Sequence, residues 1–474
     1  MFWQVYDNII AKMLINSFGL NQTWSGVVLA LDNVIALFLL PLFGNISDKT
    51  NTKYGKRTPY IVIGVIVAAI LFVGVSIIDA HQQKLVAEKN FPEIEEILDD
   101  NGEVIGYYLN EENYDLDKNT FYASEYNNDI VKAKQEAQDT LAEELVWKQV
   151  TNRHIINFIL FIVLLFIVLL VMGIFRSPAV SLMPDVTPKP LRSKANAIIN
   201  LMGAVGSIIS LIFMFFLAKD FHSYVPTFVV LAVLMLLLLL VFIWKVKEPK
   251  LVSEMQEISK HFGIEEEEEQ NTNVNEKMPK DVFRSFLLIL LAIIFWFMAY
   301  NAAISKFSVY AGKILDMKPE LPLLMANITA IFAFIPIGII SSKFGRKKTI
   351  LGGITLLTIA FILGTIATAK TTFLIYFTMS IAGIGWATIN VNSYPMIVEM
   401  SRSSNIGKYT GYYYTASMAA QIVTPILSGA LMDYAFKDMR ILFPYSVLFC
   451  IFAFITMTFV KHGDAKKIPD EINA

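Results

Sequence analysis

Cysteine is nearly absent: Cys450 is the only one in 474 residues and lies inside an apolar run, so neither a disulfide framework nor a thiolate metal site is available. Histidine is scarce as well. His81, His154, His222, His261 and His462 fall at segment edges or in loops, without zinc spacing. No GxxxxGKS/T phosphate loop and no GxSxG elbow occurs, which argues against a nucleotide-driven pump and a hydrolase. No enzyme chemistry and no cofactor is expected. Charge is sparse, 17% of residues, and confined to a few loops, where soluble proteins carry about 25%. With 39 basic and 41 acidic side chains, no basic excess is left for a nucleic-acid partner. Asp7 and Lys12 interrupt the first apolar stretch, so a cleavable signal peptide is not evident.

Long apolar runs fill the chain instead. Hydrophobic residues make up 55%, including 35 Phe and 19 Tyr, which suit lipid-facing surfaces and interfacial belts. A helix needs about 20 apolar residues to cross about 30 Å of hydrocarbon. Full spans are expected near 24–44, 59–79, 155–182, 195–218, 225–245, 283–304, 320–340, 350–369, 373–398, 408–431 and 441–461. Residues 1–18 read as the outer part of one more span, so the chain is expected to start inside a truncated span 1; an amphipathic surface helix is the alternative. Lys and Arg in short loops set the orientation. Loops 45–58, 186–194, 341–348 and 402–408 hold thirteen, against seven in the alternate set, which puts the first set and both termini in the cytoplasm.

The expected organisation is an N-terminal six-helix bundle over 1–245, a cytoplasmic linker over 246–280, a C-terminal bundle over 281–461 and a tail over 462–474. Residues 80–152, with 17 acidic and 6 basic side chains, form an external insertion between spans 3 and 4, read as a small, partly helical cap or a solvated acidic insertion. The linker carries the run of glutamates at 265–269, a composition typical of disordered chain.

An internal repeat is the strongest signal. In PLFGNISDKTNTKYGKRTPYIVIG (41–64), Gly44, Ser47, Lys49, Gly55, Lys56, Arg57 and Thr58 match Gly338, Ser341, Lys343, Gly345, Arg346, Lys347 and Thr349 of PIGIISSKFGRKKTILGG (336–353) in type and order. The same signature six spans apart implies two six-helix halves related by an axis along the membrane normal, able to rock about a central site. In each loop the glycines permit a tight turn, and the basic residues anchor to an anionic leaflet. Asp48 stands at the C-terminal end of span 2, where its own helix dipole disfavours it. It therefore needs a positive partner, a basic side chain or another helix N-terminus, and such a contact would latch the cytoplasmic side in one state. Ser342 takes the matching place, so the latch is asymmetric.

The chain resembles the glycoside–pentoside–hexuronide:cation symporters of the major facilitator superfamily, especially the sucrose-transporter branch. The resemblance rests on LALDN (29–33), GNISDKTNTKYGKRTPY (44–60), RSPAVSLMPDVTPKPLRSKAN (176–196), YNA (300–302) and GIGWATINVNSYPM (383–396). It implies an all-α, twelve-helix major facilitator fold, a usually monomeric protein of the cell membrane, and symport of a sugar with a proton or sodium. The family's cation-site aspartates of span 2 are replaced here by Ala36 and Leu40, and the proton-linked aspartate of span 4 by Leu169. Coupling must therefore use another carboxylate, and sodium loses support.

Ionisable residues inside a span usually face a cavity and mark a pathway, because lipid penalises them. Asp7 and Asn8 lie roughly 15 Å, and Asp32 and Asn33 roughly 12 Å, from the outer side. Two carboxylates at similar depth are candidates for one proton site, Asp32 first and Asp7 second, with a helix-capping or hydrogen-bonding role as the alternative for Asp32. Arg176, in the inner part of span 4, either pairs with a carboxylate to gate proton release or snorkels to the interface. Asp185, at the end of that span, reads as structural. Trp386, Asn390 and Tyr394 share one face of span 10, where a ring platform with amide partners suits a sugar, while Asn392 is read as an interhelical bond. Tyr300 and Asn301, near the outer end of span 7, are placed to close the site, and Tyr412, Tyr413 and Tyr414 read as interfacial. For the polar and aromatic residues of spans 7 and 10, core packing is the competing reading. A sugar:proton symporter is the expected function. A carrier of sugar acids or lipid-like solutes, or a membrane sensor, are the alternatives.

Overall fold

A computed structural model gives the fold. It describes every residue except 1, 11, 21, 90, 92, 101, 110–118, 127–129, 218–222, 262–278, 316, 318, 402–404, 433–437 and 465–474. The glutamate run at 265–269 and most of the tail lie outside the described residues.

The N-terminal segment is helical but irregular: α1 (Phe2–Val5) passes into wide turns at Tyr6–Ile10 and Met13–Ser17. Then come α2 (Gln22–Asp48) and α3 (Thr58–Ala87). The insertion forms β1 (Ile94–Leu98), β2 (Val104–Leu109), β3 (Thr120–Tyr122) and α4 (Ile130–Thr140), continued by a wide-turned helix at Leu141–Thr151. Long helices resume with α5 (Ile155–Asp185), α6 (Arg192–Leu217) and α7 (Val225–Lys245). A linker helix α8 (Glu248–His261) precedes α9 (Lys280–Leu315), α10 (Glu320–Phe344), α11 (Arg346–Ile366), α12 (Phe373–Glu399), α13 (Ile406–Ala430) and α14 (Leu442–Thr458). The first part of the linker is thus helix rather than loose chain.

Ten of the described helices are long and apolar enough to cross a bilayer. Only helices satisfy their own backbone groups in lipid, and runs such as IINFILFIVLLFIVLLVMG in α5 offer no polar alternative. The 25-residue α13 is as long but more polar, carrying Lys408, Gln421 and a run of tyrosines. Every expected span from 24–44 to 441–461 coincides with one of these eleven helices.

The insertion is partly helical, over Ile130–Thr151 as its composition suggests, and it adds strands that the composition did not show. It holds a three-stranded antiparallel sheet in the order β1-β2-β3, whose inner face, with Tyr107, Leu109 and Phe121, packs on Ala133 and Ala137 of α4. The small alanines let the helix lie flat on the strands.

The chain divides into two compact units. One holds Met1–Asp32, Val65–Val171 and Gly206–Leu240. The other holds Asn33–Gly64, Met172–Val205 and Val241–Ala474. The second unit therefore contains the whole second half of the chain together with the basic-loop ends of α2, α3, α5, α6 and α7. Its core runs along α9, α11, α12, α13 and α14 through Trp296, Phe307, Phe361 and Phe443, all buried.

Candidate functional site

The repeated loops build two buried charge clusters in the second unit. Arg57, fully buried, donates from Nε to Asp185 at 2.7 Å and from one terminal nitrogen to Asp48 at 2.6 Å. It also donates to Ser47 Oγ at 2.5 Å. Burial works against this charge, but Asp185 and Asp48 outweigh it and raise the Arg57 pKa above the usual arginine value. Asp48 reaches the second half of the chain as well: its Oδ1 accepts from Gly407 N at 2.8 Å and its Oδ2 from Lys408 N at 2.9 Å. It caps the N-terminus of α13, whose positive dipole end offsets the position at the unfavourable end of α2. Both kinds of positive partner that the sequence calls for are present. Arg57 is no lipid anchor, however, because it lies inside protein; Lys49 and Lys343 remain exposed.

The second loop repeats the plan with its sides exchanged. Arg346, also buried, donates to Glu399 at 2.8 Å within its own half. It also reaches Ser193 Oγ at 3.1 Å and the Lys189 carbonyl at the N-terminus of α6. Arg192 of α6 adds a longer pair with Glu399 at 3.8 Å. Asp185 and Glu399, at matching ends of α5 and α12, thus do the same work for the two arginines. Asp185 thus anchors Arg57. The buried arginines stand one residue out of register, Arg57 two after Gly55 and Arg346 one after Gly345, so matching by sequence order pairs Arg346 with Lys56.

Each loop glycine adopts a positive φ, 108° at Gly55 and 93° at Gly345. At both, the space a Cβ would occupy holds a carboxylate from a later segment: Glu248 of α8 at Gly55, Asp464 at Gly345. Glu248 accepts from the backbone N–H groups of Lys56, Arg57 and Thr58, at 2.6–3.1 Å, and Asp464 from that of Arg346 at 2.6 Å. These are carboxylate caps on the N-termini of α3 and α11. Glu248→Ala is expected to lower thermal stability by about 1–2 kcal/mol, and Glu248→Gln by less; equal melting of all three proteins by scanning fluorimetry would rule out the cap.

Three helix prolines extend the closure. Proline frees the carbonyl four residues earlier. Pro41 frees Leu37 O, which accepts from Thr415 Oγ1 at 3.3 Å. Pro184 frees Val180 O, which accepts from the Tyr394 hydroxyl at 3.2 Å. Pro395 frees Val391 O, which accepts from Asn196 Nδ2 at 3.0 Å. Each bond joins a helix of one half to a helix of the other. Ser181 and Tyr394 meet at Thr410 Oγ1, each at 2.9 Å. Tyr394 is therefore a closing contact inside the helix seam, which separates it from the ring platform it was grouped with. Tyr413 is buried against it rather than interfacial, with ring centroids 5.5 Å apart.

The platform itself forms higher along the same helices. Tyr300, mid-way along α9, stacks on Trp386 with centroids 4.0 Å apart and 3° between planes. Phe297 meets Trp386 edge-on at 5.0 Å. Asn301, one residue on, keeps a buried Nδ2 without a hydrogen-bond partner. Asn390 is half-buried, with its carbonyl taken by Asn196 Nδ2. Asn392 bonds back to Thr388 O of its own helix rather than to a neighbour. Arg176 lies over the Tyr414 ring at 4.9 Å. Asp32 and Asn33 are half-buried in α2, while the side chains of Asp7 and Asn8 lie outside the described residues. Ala36 and Leu40, which stand where the resemblance implies cation-site aspartates, pack against Met418. That seam is apolar because it is a helix contact.

The family profile of the Major Facilitator Superfamily matches residues 150–333 and 320–472. The chain belongs to that superfamily. A second profile, for MFS/sugar transport proteins, matches residues 1–78. No curated protein sequence matches the chain. Among solved structures, this superfamily member resembles the transporter FucP in its outward conformation, with a TM-score of 0.61, 14% identity, and coverage of 97% of this chain and 96% of that one. A FucP structure from E. coli is described as a fucose:proton symporter. The proton:xylose symporter XylE aligns with a TM-score of 0.60, 13% identity, and coverage of 98% and 93%. A bacterial homologue of the iron transporter ferroportin, outward-facing, aligns with 0.60, 12%, 96% and 94%. At such identities the likeness concerns the fold, a transporter fold rather than that of an enzyme.

Proposed function

We propose that this superfamily member is a sugar:proton symporter of the cell membrane, working as a monomer by alternating access, with the basic loops and both termini in the cytoplasm. The observation that carries the sugar is the Tyr300–Trp386 stack with the unpartnered Asn301 amide beside it in sequence. Sugar C–H faces stack on rings, and sugar hydroxyls supply the acceptor that a buried amide lacks. The sugar-transport profile over the N-terminal residues supports the same reading, as does the resemblance to the glycoside–pentoside–hexuronide family. In this reading Asn8, Asn33 and Asn390 are further solute contacts. Asp32, then Asp7, carries the coupling proton, and Arg176 gates its release.

The test is uptake of radiolabelled mono- and disaccharides into liposomes holding the full chain, with a pH gradient, a sodium gradient or neither. Saturable, pH-driven uptake is expected. Trp386→Ala should then raise the apparent KM roughly tenfold, about 1.4 kcal/mol, at nearly unchanged maximal rate. No sugar moving under any gradient would remove the proposal, and sodium-driven uptake would replace the proton.

A further inference from the structure

Asp79 lies in α3, 21 residues beyond its first residue, and is completely buried in the first compact unit. One carboxylate oxygen, Oδ2, accepts from Gln83 Nε2 at 2.8 Å. The other, Oδ1, has no hydrogen-bond partner, and neither do Gln83 Oε1 and Ser17 Oγ. Ser17 and Gln83 are the polar groups acting on the carboxyl, and among the described residues no Lys, Arg or His pairs with it. Tyr224, just before α7, is the titratable side chain facing it; burial and then the Asp79 charge raise the pKa of that hydroxyl. The surroundings are fixed by a polar chain: Asn157 donates to Gln82, Gln82 to Thr151, and Thr151 to the Phe18 carbonyl, at 3.3, 3.1 and 2.8 Å.

A bare buried carboxylate is strongly disfavoured, and unpartnered buried oxygens call for an occupant. Of these three oxygens only Ser17 Oγ brings a hydrogen, so three acceptors share one donor, and a proton on the carboxyl supplies the second. A metal ion would need about six oxygens, and among the described residues no cluster of acidic, His or Cys ligands exists. One hydrogen on Oδ1 converts the carboxylate into a neutral acid whose O–H can be accepted by Gln83 Oε1 or Ser17 Oγ, while Gln83 continues to donate to Oδ2.

We propose that Asp79, with Gln83 and Ser17, is a proton-binding site, separate from Asp32. The proposal deepens the symport reading by adding a second proton carboxyl, yet its test needs neither sugar nor gradient. The site takes its proton when the surrounding helices close over it and releases it when they part and water reaches the carboxyl.

Infrared difference spectroscopy of the full chain in lipid nanodiscs, titrated from acid to alkaline pH, reads the C=O stretch of protonated carboxylic acids. A band that disappears with rising pH, is absent in Asp79→Asn and persists in Asp32→Asn is expected. Asparagine reproduces the neutral acid, so Asp79→Asn should fold and melt like the parent. Should it fail to fold, Gln83→Leu removes one partner of the carboxyl and should shift the same band. A titrating band unaffected by both changes, or none that depends on Asp79, would overturn the proposal. So would an Asp79-dependent carboxylate band that responds to sodium at fixed pH.

Discussion

Asp48→Ala is expected to open the basic-loop end of the transporter. Cys450 is the only cysteine and is buried, so Cys450→Ser provides a silent background for a reporter. Ser181, fully buried and bonded to Thr410, becomes that reporter as Ser181→Cys. Asp48 makes two hydrogen bonds to α13 that exist only while the halves meet. Bonds to a charged acceptor are worth about 1.5–3 kcal/mol each. Since the two are not additive, their loss takes about 3 kcal/mol from the closed state, and thiol labelling should quicken roughly a hundredfold, while the Asp48–Arg57 pair lost with them lowers stability in every state. Asp185→Asn provides the contrast. Asp185 and Arg57 belong to one half, so loosening their pair weakens folding in every state, by about 3 kcal/mol, and should leave labelling of the folded fraction little changed. If Asp48→Ala also lowered stability without faster labelling, the carboxylate would be part of the fold and not of a latch.

What the sequence revealed, and what it hid, follows from the range of each signal. The eleven long helices were readable because lipid demands unbroken apolar runs. The loop repeat was readable because its glycines and charges are local. Asp48's need for a positive partner followed from its place on one helix, but α13 as the partner, 359 residues away, did not. Glu248, Glu399 and Asp464 went unnoticed because each lies just outside a span, where a charge is unremarkable until another chain segment meets it. Asp79 closes the apolar run at 59–79, where a carboxylate reads as a span end, whereas α3 runs on to Ala87 with Gln82 and Gln83. The sheet in the insertion did leave a signal, Asn101-Gly102 between two short runs rich in Ile, Val and Tyr. It was outweighed by the helical composition of 130–150. The platform pair was assembled from separate hints on two helices, whereas Tyr394, on the same helical face as Trp386, lies two turns away, where the proline-freed carbonyl of Val180 claims its hydroxyl.

Gly411→Val should abolish transport while leaving the protein folded. Gly407 and Gly411 form a small-xxx-small pair on α13, seated against Gly44 and Pro41 of α2. A Cβ at Gly411 would strike the backbone of Pro41, with the Pro41 nitrogen at 2.7 Å. Backbone at a proline cannot step aside as a flexible side chain can. Gly44 meets Gly407 backbone in the same way, and Gly338 of α10 meets Ala197 and Lys194 of α6, so both loop motifs place a glycine where the halves touch. Overpacking costs about 1–3 kcal/mol even in a core that can relax. Here relaxation means separating the helices, which removes the clash and the closed state together. Uptake should therefore fall at least a hundredfold, Ser181→Cys should label as fast as in Asp48→Ala, and the melting temperature should stay near the parent value. Gly352→Ala, with open space around its Cβ, is the matched control and should transport normally, gaining about 0.5–1 kcal/mol of helix stability. If Gly411→Val labelled slowly and still carried its solute, the close approach of α2 and α13 would not be a state the transport cycle visits.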